Sequence, residues 1–107
     1  MKKQFDQHCP VARTLDVIGE KWTILILREL FLFGPRRFQD FADRLTGISP
    51  NTLSDRLKKL EASGILKRSF YDEHPPRAEY HLTDKGDELG PILLALKKWG
   101  EDNTSVG

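Results

Sequence analysis

The polar and apolar positions of this chain divide it into five helical stretches and two extended ones. Pro10 suits the first turn of a helix, where a missing N–H costs nothing, and Val11, Leu15 and Ile18 line one face as far as Gly19. From Lys21 to Phe33, a stripe of Trp22, Leu25, Ile26, Leu30 and Phe33 is widened by Ile24, Leu27, Phe31 and Leu32 most of the way round. A helix so apolar belongs in the middle of a small domain. After a turn at "GPRR" (34–37), Phe38, Phe41, Ala42 and Leu45 mark a short amphipathic helix ending at Thr46-Gly47. Ser49 is a good N-cap and Pro50 a good first residue for the next helix. Its Leu53, Leu57 and Leu60 recur at i, i+4 and i+7, and Gly64 stands where a C′ glycine should. "ILKRSFY" (65–71) and "AEYHLT" (78–83) read as strands joined by "DEHPPR" (72–77), which predicts a β-hairpin with a long, proline-stiffened tip. Thr83 then caps a last helix with the stripe Leu89, Ile92, Leu93, Leu96 and Trp99, kinked before Pro91. The domain is expected over residues 1–100, with 101–107 a flexible tail that has nothing to bury.

A short helix, a tight turn, a capped helix and a two-stranded hairpin describe a winged helix-turn-helix, mainly α with one small antiparallel β-hairpin. The length of 107 residues allows one domain with a modest core. Hydrophobic content of 38% and charged content of 31% fit a soluble globular chain. No apolar run reaches the roughly 18 residues of a membrane span, and "MKKQFDQHCP" has no secretory h-region. One cysteine excludes an intramolecular disulfide framework. A cytoplasmic protein with no membrane partner is the expectation.

The net charge of +1 names no partner, but its distribution is uneven. Residues 36–68 carry eight Lys/Arg against four Asp/Glu, and residues 84–107 carry three against five. A basic middle and an acidic end are compatible with a nucleic-acid face, and equally with ordinary solvated surface. Projected at 100° per residue, the leucines of the fourth helix cluster within about 60°. Asn51, Asp55 and Lys58 fall opposite them, flanked by Ser54 and Lys59. The spacing alone leaves that face as either solvated or DNA-reading.

"CPV" (9–11), "GEKWTILILRELFLFGPRRF" (19–38), "GISPNTLSDRLKKLEASGIL" (47–66), "PPRAEYHLTDKG" (75–86) and "LLALKKWG" (93–100) together resemble the HxlR-type winged helix-turn-helix transcriptional regulators. The resemblance covers roughly residues 8–100, in the family's order and spacing. It implies bacterial or archaeal origin, a homodimer formed through the terminal helices, and binding of double-stranded operator DNA. On that footing the fourth helix enters the major groove. Its candidate DNA-binding residues are Ser49, Asn51, Thr52, Ser54, Asp55, Lys58 and Lys59. Asn51 suits an adenine edge and Ser54 several bases, whereas Lys58 and Lys59 suit phosphates. Asp55 is repelled by phosphate unless it accepts from cytosine or pairs with Lys59 at i+4. Arg77, at the hairpin tip beside Pro75 and Pro76, is placed for a minor groove, or else pairs with Asp72 or Glu73. Arg36 and Arg37 precede the third helix, where phosphate contact and a solvated turn are both open readings. Val11, Leu15, Leu89, Ile92, Leu93, Leu96 and Trp99 are the candidate dimer residues.

Cys9 lies just before Pro10, at the cap of the first helix. Free N–H groups and the positive end of the helix dipole favour a reactive thiolate there. Some members of the resembled family sense oxidants or electrophiles through a cysteine in this region. The bland alternative is a small, partly buried apolar residue. His8, His74 and His81 form no close ligand pair with Cys9 or each other, so no metal is expected. No cofactor or effector is indicated. "GEKWT" lacks phosphate-loop spacing, and no Ser/His/Asp set or carboxylate pair stands out, so an enzyme has little support. The expected function is a sequence-specific regulator, a repressor by preference, acting on a pseudo-palindromic operator. The alternative is a winged-helix protein-interaction module that does not discriminate DNA sequence, which Asp55, Asp72 and Glu73 favour.

Overall fold

The computed structural model describes residues 8–73 and 76–106, except for the side chains of Asp72, Glu73 and Pro76. His74 and Pro75 lie outside the described residues. Helices α1 (Pro10–Ile18), α2 (Lys21–Phe33), α3 (Phe38–Arg44) and α4 (Pro50–Ala62) come first. Strands β1 (Leu66–Glu73) and β2 (Pro76–Leu82) follow, then helices α5 (Asp84–Asp87) and α6 (Gly90–Asn103). The strands form a two-stranded antiparallel sheet. This is the mainly helical fold with one hairpin that the pattern predicts.

Helix α4 begins and ends where its signals lie. Ser49 Oγ accepts from the Thr52 N–H at 3.1 Å, satisfying one orphan donor of the first turn. At the other end Gly64 has φ +77°, a conformation that a side chain would strain. Leu53, Leu57 and Leu60 are fully buried against Ile26 and Leu27 of α2 and Phe41 of α3. Each such side chain contributes about 1.5–3 kcal/mol relative to an exposed one. Leu45, Ile65 and Leu66 extend this core into the helix-turn-helix and the base of the hairpin. Thr83 joins the last pieces. Its Oγ1 donates to the Gly64 carbonyl at 2.5 Å and accepts from the Gly86 N–H at 3.1 Å. A side chain at Gly86 would run into the Ile65 carbonyl, so α5 approaches the core only through glycine.

Four features differ from the sequence-based expectation. Helix α2 is covered on most sides only as far as Leu30, with Arg28 the exposed residue between Trp22 and Leu30. Ile26, Leu27 and Leu30 are inside, but Phe31, Leu32 and Phe33 are exposed, and the charged Glu29 is fully buried. In α1 the buried residues are Ala12 and Ile18, while Val11 and Leu15 face outward. The hairpin pairs further than 71 and 78, because a register shift between Phe70 and Asp72 absorbs one residue and lets pairing continue to Glu73 and Pro76. Proline is tolerated there as the first residue of a strand. Finally, the last helix is broken rather than kinked. Leu89 becomes the N-cap of α6, whose first turn holds Pro91, and the Leu89 N–H closes a turn onto the Gly86 carbonyl at 3.0 Å. Helix α6 then runs to Asn103, so residues 101–103 are helical.

Candidate nucleic-acid interface

The buried leucines orient α4, and its opposite side is presented outward. Asn51, Lys58 and Lys59 are exposed, and Ser54 and Asp55 half-buried. Ser49 and Thr52 are committed to the cap: besides accepting the Thr52 N–H, the Ser49 hydroxyl lies 2.9 Å from Thr52 Oγ1. Asp55 has local partners. Its Oδ2 accepts from Arg56 Nη1 at 2.5 Å and lies 3.4 Å from Lys59 Nζ. Desolvation raises the Asp55 carboxyl, but Arg56 and Lys59 outweigh it and hold it below the ordinary value of 3.8. The i+4 pair with Lys59, one of the two escapes open to Asp55, is therefore formed.

Arg56 was not singled out from the sequence. Its Nε donates at 2.9 Å to Oε1 of Glu20, the N-cap residue of α2, which also accepts from the Thr23 N–H at 3.0 Å. Arg56 stands on the flank of α4, and the partner that gives it meaning is 36 residues away.

Arg36 and Arg37 have different environments. Arg36 is the mostly covered one, with its side chain 20% exposed. Its backbone bridges to β2, accepting from the Tyr80 N–H at 2.7 Å and donating to the Tyr80 carbonyl at 3.1 Å. At Arg36 the "GPRR" segment thus forms a third, single-bridge edge of the wing, while Pro35 and Arg37 stay exposed. The Arg36 guanidinium lies 4.7 Å from the Phe33 ring and 3.7 Å from Glu29. Arg44 covers the same ring at 4.8 Å and donates to Glu29 from Nε at 3.0 Å and Nη2 at 3.4 Å. Arg28 Nη2 adds a further donation at 2.9 Å. Burial alone would raise the Glu29 carboxyl, but Arg44 and Arg28 hold it below the ordinary value of 4.5. One buried carboxylate therefore gathers three arginines from α2, the wing bridge and α3. Arg37, by contrast, is exposed at the start of α3. Its Nη1 lies 3.3 Å from the hydroxyl of Tyr71, an exposed strand residue that the sequence reading did not select.

On the wing, Arg77 is exposed and pairs in register with Asp72. On α1 and α6, Val11, Leu15, Ile92, Leu96 and Trp99 are exposed. A groove of about 750 Å³ runs between α1, α2 and α6, lined by Val11, Leu15, Ile24, Leu25, Ile92 and Leu96. Leu89 and Leu93, grouped with these from the sequence, turn inward and pack on the core instead. Leu89 and Leu93 stand four residues apart on one side of α6, while Ile92, Leu96 and Trp99 fall on its outer side. Cys9 is the N-cap residue of α1, partly exposed, with its carbonyl accepting from the Arg13 N–H at 3.0 Å.

The sequence profile of the HxlR-like helix-turn-helix family matches residues 17–106. The chain belongs to that family. Among its HxlR-like relatives, the uncharacterized HTH-type transcriptional regulator sll1512 of Synechocystis is 48% identical over 94 residues, covering 88% of this chain and 69% of the relative. YybR of Bacillus subtilis, also described as an uncharacterized HTH-type transcriptional regulator, is 43% identical over 98 residues, covering 92% and 78%. The structure of the redox regulator HypR in its oxidized form superposes with a TM-score of 0.83 at 43% identity, covering 92% of this chain and all of that one. The reduced form of the transcriptional regulator YodB from B. subtilis superposes with a TM-score of 0.75 at 31% identity, covering 92% and 97%. The HxlR-like chain is therefore a transcriptional regulator of the winged helix-turn-helix type, with bacterial relatives. Among the described residues, no helix is long and apolar enough to cross a membrane.

Proposed function

We propose that this protein is a homodimeric, sequence-specific DNA-binding repressor that acts in the cytoplasm and responds to oxidants or electrophiles through Cys9. The observation that carries the reading is the outer face of α4. Asn51, Lys58 and Lys59 are exposed on the side opposite three fully buried leucines, at the helix that this architecture lays into DNA. Asn51 and Ser54 read base edges, Lys58 and Arg37 meet phosphates, and Arg77 reaches the flank from the wing. Lys59 contributes less positive charge than its position suggests, because Asp55 sits beside it.

The homodimer is supported by the exposed apolar groove between α1, α2 and α6, and by the shape of the chain. A radius of gyration of 15.0 Å exceeds the value of about 13 Å expected for a compact domain of this length. Covering the groove with a second copy would remove Val11, Ile92 and Leu96 from water, and Trp99 continues the same exposed face of α6. Two-fold symmetry then calls for half-sites about 34 Å apart, or a multiple of that. The redox reading draws support from the likeness to a structure described as a redox regulator and from the place of Cys9 at the N-cap of α1. With one cysteine per chain, a disulfide would have to join two protomers or a protomer and a small thiol.

Selection of bound fragments from the host genome, with and without diamide, tests the whole reading. The expected outcome is a pseudo-palindromic consensus whose enrichment falls under oxidation. Retention of fragments without any shared sequence would instead favour a protein-interaction module.

A further inference from the structure

We infer that Arg56 and Glu20 are positioning residues for sequence recognition, forming a strut that sets the angle of α4 against the α1–α2 corner. The inference rests on the proposal that α4 reads DNA, and goes beyond it by naming what holds the reading face in register.

An open cleft of about 540 Å³ separates the corner from this side of α4, with Leu15, Gly19, Glu20, Arg56, Lys59 and Leu60 on its walls. Apolar packing does not close that gap. The guanidinium of Arg56 crosses it, donating Nε to Glu20 at 2.9 Å and Nη1 to Asp55 at 2.5 Å. Glu20 is itself held by the first turn of α2, accepting at 3.0 Å from the Thr23 N–H and 3.2 Å from its hydroxyl. Arg56 is therefore gripped by one carboxylate on each helix, and its side chain is only 24% exposed. Two of its five donors are held inside the protein, as is Asp55 Oδ2, which leaves both residues less free to meet a base or a phosphate. The cleft is no anion site either, because Asp16, Glu20 and Asp55 already offset Arg56 and Lys59 around it.

The geometry gives the strut leverage over recognition. The leucines bury α4 along one line, and the Arg56–Glu20 contact adds a tie off that line that opposes rotation about the helix axis. An amide such as that of Asn51 lies roughly 6 Å from the axis, so a 10° rotation moves it by about 1 Å. Hydrogen-bond distances tolerate only about 0.5 Å. Loss of the strut would therefore blur base readout while leaving the cationic surface in place.

The test compares Glu20→Gln, Arg56→Met and the double variant with wild type. Each is titrated against the best duplex from genomic selection and against a scrambled duplex of equal length, alongside thermal melts. Glu20→Gln retains an oxygen to cap Thr23 and removes a negative charge, which by itself strengthens binding to any DNA. The expected result is a fall of about three- to tenfold in the specific-to-scrambled affinity ratio for each single variant. The double variant falls no further, and scrambled-duplex affinity in Glu20→Gln is unchanged or higher. A ratio kept within twofold by Glu20→Gln overturns the inference. So does an equal loss by Arg56→Met on both duplexes with a shallower salt slope, which would make Arg56 a phosphate contact. A melt lowered without change in the ratio assigns the pair to stability alone and also overturns it. If wild type itself prefers no duplex, the DNA-reading proposal fails and the strut falls with it; a wild type that discriminates while the variants match it defeats the strut only.

Discussion

Glu29→Gln keeps the outline of a fully buried side chain and removes its charge. The wild-type carboxylate takes two donations from Arg44 and one from Arg28. Breaking a buried ion pair by removing one partner costs about 3–5 kcal/mol, most of it from the charge left behind without water. Here Arg28 and Arg44 are 44% and 49% exposed and can rehydrate, whereas Arg36, at 20%, cannot do so fully. The glutamine also turns an N–H2 group toward guanidinium donors. A loss of about 2 kcal/mol follows, which for a domain of this size lowers Tm by about 10 °C. The pH dependence has a definite sign. The folded carboxyl is held below its ordinary value of 4.5, so its stabilisation is full above that value and is lost as pH falls through the folded one. Circular-dichroism melts of both proteins at one concentration, from pH 7 to pH 3, should show a wide gap at neutral pH that closes in acid. A gap below about 2 °C at pH 7, or one that persists unchanged at pH 3, would refute the account.

Four further outcomes are expected. Asn51→Ala should relax the preference at one position of each half-site by about 1–3 kcal/mol in competition titrations, and an unchanged preference removes Asn51 from base reading. Arg77→Ala should weaken binding to all duplexes and reduce the salt slope by about 1, so an unaltered slope counts against the wing contact. Cys9→Ser should bind DNA like wild type but ignore diamide and quinones; a variant that still releases DNA on oxidation ends the sensor proposal. Trp99→Asp, at a position 64% exposed in the single chain, should yield monomers in sedimentation velocity without a large drop in helicity. A persistent dimer would move the interface elsewhere.

The helix-turn-helix itself was legible because its signals are local. Ser49, Pro50 and Gly64 mark the ends of α4, and the leucine spacing marks its buried side, within a window of about four turns. The hairpin was legible for the same reason, though not its length, since the bulge after Phe70 depends on cross-strand pairing. The candidate site was legible only in part. Asn51, Ser54, Lys58 and Lys59 follow from the helical projection, but Glu29 read as an interruption of an apolar run. Its burial makes sense only once Arg44 is brought alongside. Similarly, Arg36 gave no sign of pairing with Tyr80, nor Arg56 of crossing to Glu20.

Short-range order was thus written in the chain: caps, glycine stops, apolar periods and the order of elements that defines a winged helix-turn-helix. Each depends on backbone conformation and side-chain spacing over a few residues, and those are properties of adjacent sequence. What tertiary structure decided was the use of charge. Whether an arginine faces water, DNA or a buried carboxylate depends on which distant groups arrive within about 3–4 Å, because ion pairing decays steeply with distance and solvation. That is why Arg28, Arg36, Arg44 and Arg56 look alike in the sequence, while in the fold they are tied inward and Lys58, Arg37 and Arg77 are left on the outer surface.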